Sequence, residues 1–286
     1  MHPIATPSSA PVHVWGRFAL VGPGRAGTSV ALALVGAGYR PTAVAGRGPV
    51  SASTRRAVAW LGAPAVAPAV AGAGAGLVVI ATPDAAIDDT ARDLAPGLEP
   101  GALVVHLSGA RGLDALAAVT ELRPDCSVGA LHPLQTFAAP DPARLTGAWA
   151  AVAGPPAVAD VARELGLHPF VVDDDRRAAY HAAAVVASNH LVALLGQVER
   201  LADAAGVPFD AFMPLVATTL ANCAHHGPAA SLTGPVARGD AATVVAHLDA
   251  LPDAERDTYR SRALAALVLS SRDDAALRAL LQGVPA

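Results

Sequence analysis

Seven short apolar runs within the first 173 residues constrain this chain more than anything else in it: "RFALVG", "PTAVAGR", "GLVVIATPD", "GALVVHLSGA", "CSVGALHPLQ", "GAWAAVAG" and "HPFVVDDD". Each offers a core of aliphatic and β-branched residues with no charge on either face, the pattern of a strand covered on both sides. Helical patterns separate these runs, and such alternation implies an α/β fold with a doubly wound, mostly parallel sheet. After Asp173 the texture changes. Arg176 to Ala205 reads as one long alanine-rich helix, and no later segment makes a comparable strand. Gly206-Val207-Pro208, Gly227-Pro228 and Gly234-Pro235 punctuate the helices that follow. The expected layout is a loose tail over 1–16, an α/β domain over 17–173 and an all-α domain over 174–286.

Composition narrows the function classes. With 286 residues, two domains are the better expectation, and 53% hydrophobic against 15% charged residues leaves ample material for cores. A formal charge of −4 with no block of like charge argues against nucleic acid or an acidic membrane surface as a partner. All 20 basic residues are arginine, so Schiff-base chemistry and any mechanism needing a lysine are excluded. Cys126 and Cys223 lie far apart, which suits reduced thiols better than a disulfide framework or a zinc site. The N-terminus lacks a basic start followed by an apolar core, so a cytoplasmic location is expected. Ala57 to Pro83 is uncharged, but Pro64, Pro68 and repeated glycines break it, and no membrane span is expected.

The first run leads into "GPGRAG", where Gly22, Gly24 and Gly27 form G-x-G-x-x-G between a strand and an apolar-periodic helix. In that context the first glycine makes a tight turn, the second lets backbone approach a pyrophosphate, and the third permits close helix packing. The Rossmann-type reading makes Gly22, Pro23, Gly24, Arg25, Ala26 and Gly27 a phosphate cradle at a helix N-terminus. About 20 residues on, where an acidic residue would take the ribose 2′-OH of NAD, the chain has "AGRGPVSASTRR". Arg47 and Ser51, with Arg55, Arg56 and Arg25 nearby, offer donors to a 2′-phosphate, so NADP(H) is expected. The other reading of these arginines is a solvated helix start.

"VVIATPD" puts Thr82 and Pro83 at the carboxyl end of a strand, where open α/β sheets bind ligands; Asp84 can also cap the next helix. "VVHLSGA" and "GALHPLQTF" deliver His106, Ser108, His132, Gln135 and Thr136 to two more strand ends. His132, beside a proline, is the stronger catalytic candidate there, although a histidine satisfied by backbone is an open alternative. In the long helix His181, Ser188 and Asn189 interrupt an apolar surface, and a seven-residue spacing puts His181 and Ser188 on one face. They meet either backbone groups or a substrate cleft.

Taken in order, "GPGRAG", "HLSGA", "GALHPLQTF", "YHAAAVVASNHLVAL" and "LTGPVARGD" resemble the bacterial family that joins a Rossmann-like domain to domain of unknown function 2520. That family is similar in layout to pyrroline-5-carboxylate reductase, ketopantoate reductase and the 6-phosphogluconate dehydrogenase superfamily, and some members look like alternative ketopantoate reductases. By helix position Ser188 matches a serine of the substrate-binding turn in pyrroline-5-carboxylate reductase, and Thr233 to Asp240 resembles that enzyme's later polar turn. The lysine of the usual ketopantoate reductases has no counterpart, so His132 or His181 would supply the proton. The resemblance implies an NADP-dependent reductase of a small carboxylate-bearing ketone or cyclic imine, active as a homodimer joined through its helical domains. Arg238 could anchor the substrate carboxylate, or simply be an exposed arginine at a helix end. The rival expectation is a dinucleotide-binding sensor without turnover.

Overall fold

In the computed structural model, which describes residues 15–283, each apolar run contains one strand. These are β1 (Arg17–Val21), β2 (Arg40–Ala45), β3 (Leu77–Ile80), β4 (Leu103–His106), β5 (Ser127–Pro133), β6 (Trp149–Ala153) and β7 (His168–Val171). They form one sheet in the order β2-β1-β3-β4-β5-β6-β7. The first five are mutually parallel. The chain moves from β1 outward to β2 and then back across to β3, so the strand order reverses at the β1/β3 border, where a crevice opens beyond the carboxyl ends.

Strand alternation sorts the core into two layers. Phe18, Leu20, Leu77, Val79, Leu103 and Val105 face one way, against α1 (Arg25–Gly36), α2 (Ala52–Leu61) and, further along the sheet, α5 (Pro156–Glu164). Ala19, Val21, Val78, Ile80 and Val104 face the other, against α3 (Ile87–Leu94) and α4 (Ala117–Leu122). Each large side chain so buried contributes about 1.5–3 kcal/mol relative to exposure. Both faces covered is the reason these strands read as continuous apolar runs.

The parallel pattern breaks once. β6 pairs antiparallel to β5, with Leu131 opposite Val152, and β7 pairs parallel to β6. The 15 residues joining β5 to β6 hold a single 3-10 turn (Pro142–Leu145) and no crossover helix, so the chain turns straight back beside the strand it has left.

From Asp174 to Ala204 the chain is one 31-residue helical stretch. It consists of a 3-10 turn, α6 (Arg177–Val185), a π-helical turn (Val186–His190) and α7 (Leu191–Ala204). The π turn departs from the regular helix expected here. Ser188 Oγ bonds back to the Ala184 carbonyl at 2.8 Å, a contact that competes with the regular ladder and bends helices. The alignment of His181 with Ser188 therefore does not follow from α-helical spacing. The stretch contains an 18-residue window of mean hydropathy 1.4 and is, by length and composition, long and apolar enough to cross a membrane. The sequence pattern predicts no span here, and the uncharged Ala57–Pro83 forms the end of α2, a 3-10 turn and β3.

Two compact units emerge, one through Ser188 and one from Asn189. The sheet ends where the expected boundary at 173/174 lies, but the first turns of the long helix, with Arg177 wholly buried, belong to the sheet-containing unit. The second unit comprises α7, α8 (Met213–His226), α9 (Pro228–Ser231), α10 (Pro235–Arg238), α11 (Ala241–Ala250), α12 (Asp253–Leu269) and α13 (Ala275–Gln282). Its core gathers Val236, Val244, Leu248, Leu267, Leu277 and Leu281. Glu255 ties α12 to α7, accepting from Gln197 Nε2 at 3.0 Å and Arg200 Nε at 2.5 Å, and the Arg200 guanidinium holds its carboxyl below the ordinary range.

Candidate functional site

The loop from β1 to α1 is shaped by three glycines doing three different things. Gly22 has φ +92°, and a Cβ there would lie 2.5 Å from the Ala81 carbonyl carbon, so the turn can cross the end of β3 only without a side chain. A Cβ on Gly27 would meet the Ala81 side chain and the Gly22 carbonyl oxygen, both at 2.6 Å, which lets α1 pack against the sheet. Gly24 has nothing within 4 Å of that position and faces open space. Gly24 is also the N-cap of α1 and offers no side-chain oxygen to it, and the first turn holds no acid. The N–H groups of Arg25, Ala26 and Gly27 therefore have no capping side chain from that residue, and the positive end of the helix dipole is left for an outside anion.

A cavity of about 770 Å³ adjoins this helix end. Gly22, Pro23, Gly24, Arg25, Ala26 and Gly27 line it on one side. Arg47 at the end of β2 and Thr82 with Pro83 at the end of β3 line it on others. Thr82 Oγ1 is buried with no hydrogen-bond partner among the described residues. Ser51 goes elsewhere: it is the N-cap of α2, its hydroxyl accepting from Thr54 N at 3.3 Å and lying 2.7 Å from Thr54 Oγ1. Ser53, two residues on, reaches the cavity instead, as does Phe137. A serine just ahead of a helical pattern signals a cap, which could have redirected attention to Ser53.

A second group forms at the carboxyl ends of β4 and β5. His106 stands opposite Ala130 in the sheet, and His132 follows two residues later on the same face. Across from them α6 presents Arg177, Tyr180 and His181 at i, i+3 and i+4, one face of the helix. Tyr180 Oη lies 2.7 Å from His132 Nδ1, and the His132 and His181 rings meet edge to face at 5.8 Å. The backbone of the β4 loop threads between the imidazoles, since a Cβ on Gly109 would come within 2.6 Å of His181 Nδ1 and 2.9 Å of His132 Nε2. His181 Nδ1 is buried without a hydrogen-bond partner among the described residues.

Burial keeps His132 and Tyr180 neutral. It pushes the His132 pKa down to about 4, with His181 and Arg177 adding repulsion, and pushes the Tyr180 phenol up to about 12. A phenol that donates to Nδ1 leaves Nε2 of His132 carrying the ring proton on the side of Gly109. His106 is likewise pushed down to about 4 by burial. Its Nδ1 accepts from Ser108 N at 3.2 Å, so its Nε2–H donates to the Gly112 carbonyl at 3.1 Å.

The remaining expected residues are dispersed. Ser108 is buried and organises the β4 loop, its hydroxyl accepting from the N–H groups of Ala110 (3.2 Å) and Arg111 (3.0 Å). Gln135 and Thr136 are exposed; Gln135 Oε1 accepts from Thr136 N, and its Nε2 donates to the Arg144 carbonyl. Ser188 and Asn189 both fall in the π turn, on either side of the division between the units. Arg238 belongs to the helical unit, where its side chain is 65% exposed and 4.0 Å from Asp240, the N-cap of α11. Tyr180 and Arg177 were missed. Their signal was the run "RRAAYH", where Arg177 stands one helical turn before the histidine and Tyr180 directly beside it.

The two depressed histidines make stability depend on pH. Between about pH 6.5 and 4 the unfolded chain binds protons at His106 and His132 that the folded chain refuses, so stability is lost as pH falls through that window. Each can contribute up to about 3 kcal/mol at neutral pH. Urea unfolding at pH 7.5 and 4.5 measures this, and His106→Gln is expected to lessen the difference; an unchanged pH dependence would show that His106 is not held neutral.

Comparison with known proteins gives the following. The Rossmann-like domain matches residues 13–133, and the domain of unknown function 2520 matches residues 148–266. No curated protein matches the sequence. Among solved structures, a Bacteroides fragilis protein provisionally named an NADP oxidoreductase is 22% identical, with TM-score 0.74 over 90% of this chain and 98% of that one. An imine reductase from a Pseudomonas species is 18% identical, with TM-score 0.58 over 93% and 91%. A pyrroline-5-carboxylate reductase from Coxiella burnetii is 14% identical, with TM-score 0.56 over 95% and 99%. At these identities the likeness is one of fold. This chain therefore carries a Rossmann-like domain followed by domain of unknown function 2520, the arrangement its motifs resemble.

Proposed function

We propose that this protein is a nicotinamide-dinucleotide-dependent reductase, with NADP(H) the preferred cofactor and a small carboxylate-bearing ketone or cyclic imine as substrate. The observation that carries the reading is the uncapped start of α1, open at Gly24, beside a cavity of about 770 Å³. The residues fit such a group: first-turn amides for its pyrophosphate, the orphaned Thr82 hydroxyl as a further donor, and Arg47 with Ser53 for a 2′-phosphate. When bound, the nicotinamide supplies hydride. The names of the compared oxidoreductases support the same class.

The chain's own part is orientation and polarisation. His132, neutral above about pH 4, acts as a hydrogen-bond donor through Nε2–H to the oxygen or nitrogen that gains charge, and Tyr180 holds it in that tautomer. An imine nitrogen can arrive already protonated and asks less of this donor. Val192 on α7 and Leu215 and Leu220 on α8 are exposed apolar side chains in the helical unit, and such side chains suit burial against a second copy of the chain. Free Cys126 and Cys223 suit the cytoplasm.

The deciding experiment is NADPH oxidation against a panel of 2-oxo acids and cyclic imines. Turnover is expected; tight cofactor binding with no turnover on any compound would assign a sensor. His132→Gln is expected to lower kcat about 100-fold with cofactor affinity kept, and the wild-type profile of kcat/KM should show no inflection from His132 near pH 6.5. Arg47→Asp should reverse the affinity ratio of NADPH to NADH, measured by fluorescence titration. Sedimentation should find a dimer that Leu215→Glu dissociates; a wild-type monomer would remove the homodimer from this reading.

A further inference from the structure

Arg177 is wholly withdrawn from solvent, with only 1% of its side chain exposed, yet most of its hydrogen-bonding capacity is unused. Nε donates to Asp174 Oδ1 at 3.1 Å. Nη1 and Nη2, which carry four of the five guanidinium donors, are buried with no partner among the described residues. Asp174 can do little more. Its second oxygen already accepts from Leu113 N at 3.0 Å, and its carboxyl group is lodged against Gly112, where a Cβ would come within 2.6 Å of the carboxyl carbon.

A buried histidine can escape such a position by giving up its proton, as His106 and His132 do here. A guanidinium cannot. A buried cation with unpaired donors is among the most unfavourable arrangements in a protein, and it persists where something else in the molecule's working life completes it. Arg177 shares a face of α6 with Tyr180 and His181, which meet His132, and its partner Asp174 is lodged against Gly112, whose carbonyl takes the His106 hydrogen bond; the unfilled edge therefore belongs to the group of side chains at the β4 and β5 ends, on which its charge acts. Arg238, the residue the sequence offers for an anion, is 65% exposed and has Asp240 at 4.0 Å, so it gains far less from a new partner.

We propose that the Nη1/Nη2 edge of Arg177 is the receptor for a carboxylate of the molecule handled at His132, held by two parallel N–H···O bonds. A flat two-oxygen anion matches the fork of a guanidinium, whereas a compact ammonium in the same place would act as a point charge. Because the edge is closed to solvent, the incoming carboxylate displaces side chains that now cover it. The assignment rests on the reading of the His132–Tyr180–His181 cluster as the place of turnover.

The test uses the full chain and simple anions, with melting temperature as the readout. Formate and oxamate are compared with chloride at equal ionic strength, and with ethyl oxamate, in which the charge is removed. In the wild type, formate and oxamate are expected to raise Tm and ethyl oxamate is not. In Arg177→Gln the carboxylate-specific rise should vanish, while Tm in chloride should not fall below that of the wild type, because a buried charge with four unpaired donors has gone. Arg177→Lys keeps the charge and loses the fork, and should bind oxamate at least tenfold more weakly by calorimetry; this variant decides if Arg177→Gln does not fold. No carboxylate-specific rise in the wild type, an equal rise with inorganic phosphate, or a rise that survives Arg177→Gln would each overturn the proposal. A protein that shows the Arg177-dependent shift but never oxidises NADPH loses the reductase reading and keeps the anion site. One that turns over 2-oxo acids with unchanged KM in Arg177→Gln does the reverse.

Discussion

The close crossing of Gly22 over the end of β3 is the contact on which the rest of the sheet-containing unit depends. With φ +92° and backbone 2.5 Å from where a Cβ would stand, it brings the β1 turn directly onto Ala81 and Thr82. Only then can α1 start beside β3, pack through Gly27, and leave its first amides pointing into the crevice where the strand order reverses. A side chain at residue 22 would push the helix off the sheet, and the cavity lined by Arg47 and Thr82 would lose one of its walls.

The site at the other strand ends is governed by dehydration. His106 has both ring nitrogens engaged as a neutral imidazole, so a second proton has nowhere to go. His132 is kept neutral mainly by burial, with Tyr180 Oη 2.7 Å from its Nδ1. What such a group offers chemistry is a directed N–H and not a mobile charge, which separates it from the acid catalyst that a lone histidine in a sequence suggests.

All seven strands and the glycine loop were legible because they rest on local pattern: apolar runs of fixed period and a spacing that a turn enforces. Arg47, Thr82 and Pro83 followed from the rule that ligands gather at carboxyl ends. What could not be read was anything decided by three-dimensional neighbours. Ser51 and Ser53 differ only in which one the helix uses as its cap. The π turn at Val186–His190 leaves no mark in an alanine-rich helix, and it undid the spacing argument for Ser188. Tyr180 and Arg177 hide in a stretch that reads as a helix surface, because what they meet is set by distant parts of the chain: His132 on β5 for Tyr180, and for Arg177 an Asp174 held at Leu113.

The single antiparallel pairing of β6 on β5 explains how that stretch comes to matter. A last strand running with the others would release the chain at the carboxyl-end rim, and its helix would descend away from it. Here the direction is inverted, so the helix after β7 begins at Asp174 beside Leu113 and runs along the rim with Arg177, Tyr180 and His181 on one face. One hairpin-like reversal thus converts an outer connector into a wall beside the histidines of β4 and β5.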